Sequence, residues 1–130
     1  MSEIRHEFED HDPKAVVLVV EDELFVRLMA IDAIEDAGYD VVGVETGDEA
    51  LTLLDSRDDI RLLFTDIKMP GKVDGLELAE RVRERWPALP ILLTSGHLYQ
   101  GDASMPATIP FLQKPYRAGT LIAEIDRLSA

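Results

Sequence analysis

The chain has 130 residues, 46% of them hydrophobic, no cysteine and a formal charge of −13. That length suits one domain with a real core, and the lack of thiols excludes a disulfide framework or a thiolate metal site. The acidity argues against a nucleic acid partner, whose phosphates need a basic surface, and no apolar run approaches the ~20 residues of a membrane span.

Residues 1 to 13 carry five acids, His6, His11 and a closing Pro13. They predict a flexible acidic tail and are too polar for a signal peptide, so a soluble cytoplasmic protein is expected. "AVVLVV" (15–20) is a short β-branched run that suits a buried strand. From Glu23 the period changes: Leu24, Leu28 and Ile31 recur at helical spacing, and Gly38 stands just past the helix end. "VVGV" (41–44) is a second strand, and "DEALTLLDS" sets Ala50, Leu51 and Leu54 on one helical face. "IRLLFT" (60–65) is the third strand. Asp74 caps the next helix, with Glu77 expected to reach back as in a capping box. Ala79, Val82 and Trp86 share a face there, and Pro87 ends it.

"PILLT" (90–94) and "IPFL" (109–112) read as the last two strands. Pro110 cannot donate to a ladder, which predicts a sheet edge. Leu121, Ile125 and Leu128 stripe the final helix. Between the last two strands, "HLYQGDASMPATI" (97–109) has a Gly, a Pro and a poor apolar stripe. A crossover must run there to join parallel strands, but only a weak or irregular fourth helix is expected. The alternation predicts a doubly wound α/β fold, a five-stranded parallel sheet covered on both faces.

In such sheets ligands sit beyond the carboxyl ends of the strands, where strand order reverses. Glu21, Asp22 and Glu23 follow strand 1, Asp66 follows strand 3, Ser95 follows strand 4 and Lys114 follows strand 5. If strands 1 and 3 are neighbours, the order is 2-1-3-4-5 and the acids converge. Carboxylates so crowded repel one another, and a divalent cation relieves this. An all-oxygen donor set points to Mg²⁺ or a similar hard ion. Acid, metal, lysine and hydroxyl together suit a phosphoryl group, and a carboxylate can attack phosphorus to form an acyl phosphate.

The motifs "VVLVVEDE", "LLFTDIKMPGKVDGLEL", "ILLTSG" and "PFLQKPY", in order and each at a strand end, resemble the receiver domain of a two-component response regulator. The resemblance covers about residues 15 to 130 and implies a receiver (phosphoacceptor) domain over 14–130 with a flavodoxin-like fold. It is nearest to single-domain, chemotaxis-regulator-like receivers of alpha-proteobacterial type. It implies that a partner histidine kinase phosphorylates Asp66. Asp22, Asp66 and the backbone carbonyl of Lys68 would bind Mg²⁺ directly, and Glu21 through water. Ser95 would be the switch hydroxyl, with Thr94 the competing assignment. Lys114 would pair with the phosphoryl group and form a cis peptide with Pro115. Phe111 would turn inward on activation, and Lys68 and His97 stand where the family tunes dephosphorylation. The signal would pass to a downstream protein or phosphotransfer protein, from a monomer or a weak phosphorylation-dependent dimer. The irregular fourth crossover puts the usual dimer face in question.

Taken singly, these residues have plainer readings. Asp66 alone is a turn former before Pro70, and Glu23 is a helix-start charge favoured by the macrodipole. Phe111 is a core residue, His97 a surface-loop histidine and Trp86 a partly buried helix end. The competing functions are a small aspartyl-phosphate phosphatase, which usually has a second acid where this chain has Lys68, and a pseudo-receiver that only binds partners, which should have lost part of the acid–lysine set. A signalling protein with weak self-catalysed phosphorylation and dephosphorylation is expected rather than an enzyme proper.

Overall fold

A computed structural model describes residues 15–69, 71–96 and 108–129. The tail at 1–13 and nearly all of the 97–108 crossover, with His97, lie outside the described residues. The elements run β1 (Val16–Val20), α1 (Leu24–Asp36), β2 (Asp40–Val44), α2 (Gly47–Ser56), β3 (Ile60–Asp66), α3 (Gly75–Arg85), β4 (Ile91–Ser95), β5 (Phe111–Gln113) and α4 (Ala118–Ser129). All strand pairs are parallel, in the order β2-β1-β3-β4-β5. The expected doubly wound sheet is therefore the observed one, and chain order reverses between β1 and β3.

Period-two alternation splits the core into two layers. Val16, Leu18 and Val20 face Ala50 and Leu54 of α2 and Leu78 and Val82 of α3. Val17 and Val19 face Ala30 and Ile34 of α1 and Leu121 and Ile125 of α4. Every residue of β1 and β4 is buried, which is why those strands read as continuous apolar runs. No helix among the described residues is long and apolar enough to cross a membrane.

The inward stripe of α1 differs from the spacing-based expectation. Ala30 and Ile34 are buried and the expected Ile31 packs against them, whereas Leu24 and Leu28 are each 49% exposed, Phe25 70% and Met29 72%. The helix is apolar on more than one side, so several stripes fit its sequence, and contact with the sheet selects one. β5 begins at Phe111, later than expected, because Pro110 has no N–H for the ladder; its carbonyl still accepts from the Leu93 N–H at 2.9 Å. Asp74 accepts the Glu77 N–H at 2.9 Å as expected. The reciprocal half of that box is not made, since the Glu77 carboxylate pairs with Arg81 at 2.6 Å. A complete box forms instead at Thr46 and Glu49, a T-x-x-E spacing that the pattern reading passed over.

Candidate functional site

Because all five strands are parallel, their carboxyl ends share one edge. Glu21 follows β1 directly, Asp66 and Ser95 are the last residues of β3 and β4, and Lys114 follows β5. Carboxylate oxygens of Glu21, Asp22 and Asp66 all lie within 4.8 Å of one another. The Lys114 Nζ donates to Glu21 Oε1 at 2.7 Å and to Asp66 Oδ2 at 3.1 Å. The sheet thus brings together four residues from three strand ends. Glu21 and Asp66 are buried and Asp22 is exposed.

Three carboxylates and one ammonium leave an excess of negative charge in a partly dry edge. Burial raises the Glu21 carboxyl above its ordinary value, with the Asp66 charge adding to the rise and Lys114 and the Glu23 N–H opposing it. Burial works against the Lys114 charge, but the Glu21 hydrogen bond and the Asp66 charge outweigh it and hold the ammonium above its ordinary value. Lys114 therefore stays charged while one lysine cannot satisfy the acids around it. An all-oxygen set of this size and charge fits a hard divalent cation.

Thr94 and Ser95 are both buried. The Thr94 hydroxyl donates to the Leu112 carbonyl at 2.6 Å, tying β4 to β5. Phe111 is half-buried and packs against the α2–α3 side of the core. The Lys114–Pro115 peptide is cis, as the resemblance implies. Lys68 has an exposed side chain two residues beyond Asp66. Glu23 has the plainer role: its side chain caps α1 by accepting the Val26 N–H at 2.9 Å.

Two residues at this edge escaped the sequence reading. Tyr116 packs edge-on against Phe64, ring centroids 5.8 Å apart. Burial, then the charges of Glu21 and Asp66, push its hydroxyl up to about 12. Its aromatic ring two places after Lys114 was the available signal. Gly75 is the other. A Cβ there would lie 2.0 Å from the Asp66 carbonyl oxygen and 2.6 Å from the Ile67 Cα. The Gly75 N–H also donates to the Ile67 carbonyl at 2.8 Å, so the start of α3 clamps the backbone that carries Asp66. A glycine directly after a helix cap was the sign of it.

A surface depression of about 1280 Å³ lies at the opposite end of the sheet, lined by Ala15, Arg61, Trp86 and Leu128 among others. Arg57 and Arg85 on its wall are already paired with Asp59 and Asp55, and it has no part in the acidic edge.

The response regulator receiver domain family matches residues 17–126. The chain is 34% identical to the response regulator receiver protein CpdR of Brucella abortus, over 86% of this chain and 94% of that one. It is 31% identical to the DNA-binding transcriptional regulator NtrC of Salmonella typhimurium over 88% of its own length, but spans only 24% of that longer protein. The solved structure of the response regulator TrrA from Thermotoga maritima, in complex with Mg²⁺–BeF, superposes with a TM-score of 0.80 at 30% identity, covering 88% of this chain and 98% of that one. With its 2-1-3-4-5 sheet and an acidic edge that fits a phosphorylation site and a divalent cation, the chain belongs to the response regulator receiver family, the signalling domains of two-component systems.

Proposed function

We propose that this protein accepts a phosphoryl group on Asp66 from a partner histidine kinase, with Mg²⁺ in the acidic edge, and passes the signal to a protein partner. The observation that carries this reading is the contact set around Asp66: two further carboxylates within 4.8 Å and the Lys114 ammonium at 3.1 Å. Asp22, Asp66 and the Lys68 carbonyl would hold the cation, with Glu21 acting through water. When bound, the cation neutralises phosphoryl oxygens and relieves repulsion among the acids. TrrA, in complex with Mg²⁺–BeF, supports the choice of ion.

An Asp66 carboxylate oxygen attacks phosphorus as the bond to the donor imidazole breaks. The P–N electron pair leaves with the imidazole, which takes up a proton, and an acyl phosphate remains on Asp66. Lys114 neutralises the new charge by turning from Asp66 Oδ2 to the phosphoryl oxygens. Ser95, the last residue of β4 beside the end of β3, would be the hydroxyl that reads the phosphoryl group, while the Thr94 hydroxyl ties β4 to β5 at the Leu112 carbonyl. Movement of Ser95 would free space for Phe111 to turn inward. Lys68 and His97 would tune hydrolysis of the acyl phosphate. The protein would work in the cytoplasm, where a kinase draws on ATP.

Delivery from a protein donor needs a surface beside the acids. Leu24, Phe25, Leu28 and Met29, exposed in the first turns of α1 directly after Glu21 and Asp22, supply an apolar one. In the decisive experiment, a small phosphodonor with Mg²⁺ adds one phosphate to the wild type by intact mass and none to Asp66→Asn. Phosphate retained by Asp66→Asn would move the acceptor elsewhere.

A further inference from the structure

Arg27 has a more buried side chain than Lys114, 12% against 19% exposed, yet it sits in an apolar stretch of α1. Its carboxylate partner, Glu45, is 3.7 Å away and 63% exposed. A surface pair of that kind is worth little and does not account for a desolvated guanidinium, which is costly unless well hydrogen-bonded. The closer contact is to backbone: Nη1 donates to the Glu21 carbonyl at 2.8 Å.

That carbonyl belongs to the peptide unit joining Glu21 to Asp22. The unit before it is also held, since the Glu21 N–H donates to the Val44 carbonyl of β2 at 3.1 Å. Beyond it, the Glu23 N–H donates to Glu21 Oε2 at 3.1 Å. Asp22 itself is exposed, so packing does little to set its direction, and the held backbone on either side is what constrains it. The sheet leaves room for this contact. At Gly43 of β2 an added Cβ would lie 2.6 Å from Ile31 Cδ1 and 3.4 Å from Arg27 Cδ, so glycine lets the α1 side chains lie close over β2.

We infer that Arg27 is a positioning residue of the acidic edge: by holding the Glu21 carbonyl it fixes the Glu21–Asp22 peptide plane and so aims the Asp22 carboxylate at Asp66. The inference rests on the reading of Glu21 and Asp22 as the acid pair, and it concerns geometry that exists before any cation arrives. Arg27→Met keeps the stem and removes the donors, and Arg27→Lys returns one charged donor. Loss of a charged hydrogen bond predicts Mg²⁺ affinity about tenfold weaker in Arg27→Met, with part of it recovered in Arg27→Lys and little change in Glu45→Gln.

Affinity is read by calorimetry with Mg²⁺ alone, and backbone ¹⁵N relaxation is read on the metal-free proteins. In Arg27→Met the Asp22 and Glu23 amides should become mobile while Val17, Val19 and Val44 keep wild-type values. An unchanged Asp22 amide, or mobility spread evenly through β1 and β2, overturns the positioning role and leaves Arg27 a packing residue. Wild-type affinity in Arg27→Met overturns it too. If the wild type itself fails to bind Mg²⁺, the metal reading falls, and the relaxation data still decide the role of Arg27.

Discussion

The tasks proposed for two neighbouring hydroxyls on β4 can be tested separately. Thr94 is bonded across to β5 at 2.6 Å, so Thr94→Ala leaves a buried Leu112 carbonyl without that donor and should lower stability by about 1–3 kcal/mol, measured by urea unfolding, with phosphorylation intact. Ser95→Ala should still accept phosphate but blunt the conformational response, read as amide shift changes with a phosphate mimic. An equal response in Ser95→Ala and wild type would return the switch role to another group. Gly75 allows a sharper test, because its Cβ would fall 2.0 Å from the Asp66 carbonyl oxygen. Gly75→Ala should slow phosphorylation by a small donor as well as lower the Tm, since α3 cannot back away without moving Asp66. A variant that loses only stability would show that the clamp is structural.

At the scale of elements, α1 serves two masters. Its Ala30 and Ile34 side seals the core, and Ile34→Ala should cost about 2–5 kcal/mol. Its opposite side leaves Phe25 and Met29 mostly in solvent, where the core does not depend on them. Phe25→Ser with Met29→Ser should therefore leave the Tm and small-donor phosphorylation near wild type while slowing kinase-driven phosphorylation at least tenfold. Equal rates with the kinase would mean that the donor docks on another face. α2 and α3 face the other layer and are capped at their starts by Thr46 and Asp74, and the Gly75 N–H ties the start of α3 to the Ile67 carbonyl just beyond Asp66.

For the whole molecule, stability and the acidic edge are coupled. Glu21 binds its proton more tightly when folded than when unfolded. Its contribution to stability is therefore present below its ordinary value of 4.5 and is lost as pH rises through the raised folded value. Lys114 behaves likewise at the other end of the scale, its contribution lasting until pH climbs past 10.5. A cation that replaces the Glu21 proton should thus help more as pH rises from 4.5 toward neutrality. At a ~100-fold excess over Kd, Mg²⁺ should add about 2.7 kcal/mol, a Tm rise on the order of 10 °C. Asp22→Ala should remove most of that rise, and Glu21→Gln should flatten its pH dependence. Identical melting with chelator and with millimolar Mg²⁺ at pH 7 would refute the metal site.

The strands and most of the chemistry were legible in the chain by itself. Runs such as Val16–Val20 and Leu62–Phe64 are buried on both faces and so carry an unbroken apolar signature, and Asp66 stands out because it ends such a run with a charge, as Lys114 does after the shorter, half-buried β5. These are properties of neighbours along the chain. What the tertiary structure decided depends on partners far apart in it. The inward side of α1 was ambiguous because Leu24 and Leu28 line up with Ile31 as well as Ala30 and Ile34 do; only contact with the sheet surface chooses, and it takes Ala30, Ile31 and Ile34. Thr94 and Ser95 are adjacent, small and both buried, and what ties Thr94 to β5 is the Leu112 carbonyl, eighteen residues further along the chain. Gly75 shows locally only as a glycine after a helix cap, and Arg27 not at all, because what each touches is a backbone carbonyl, at Asp66 and at Glu21, and a carbonyl has no letter in the sequence.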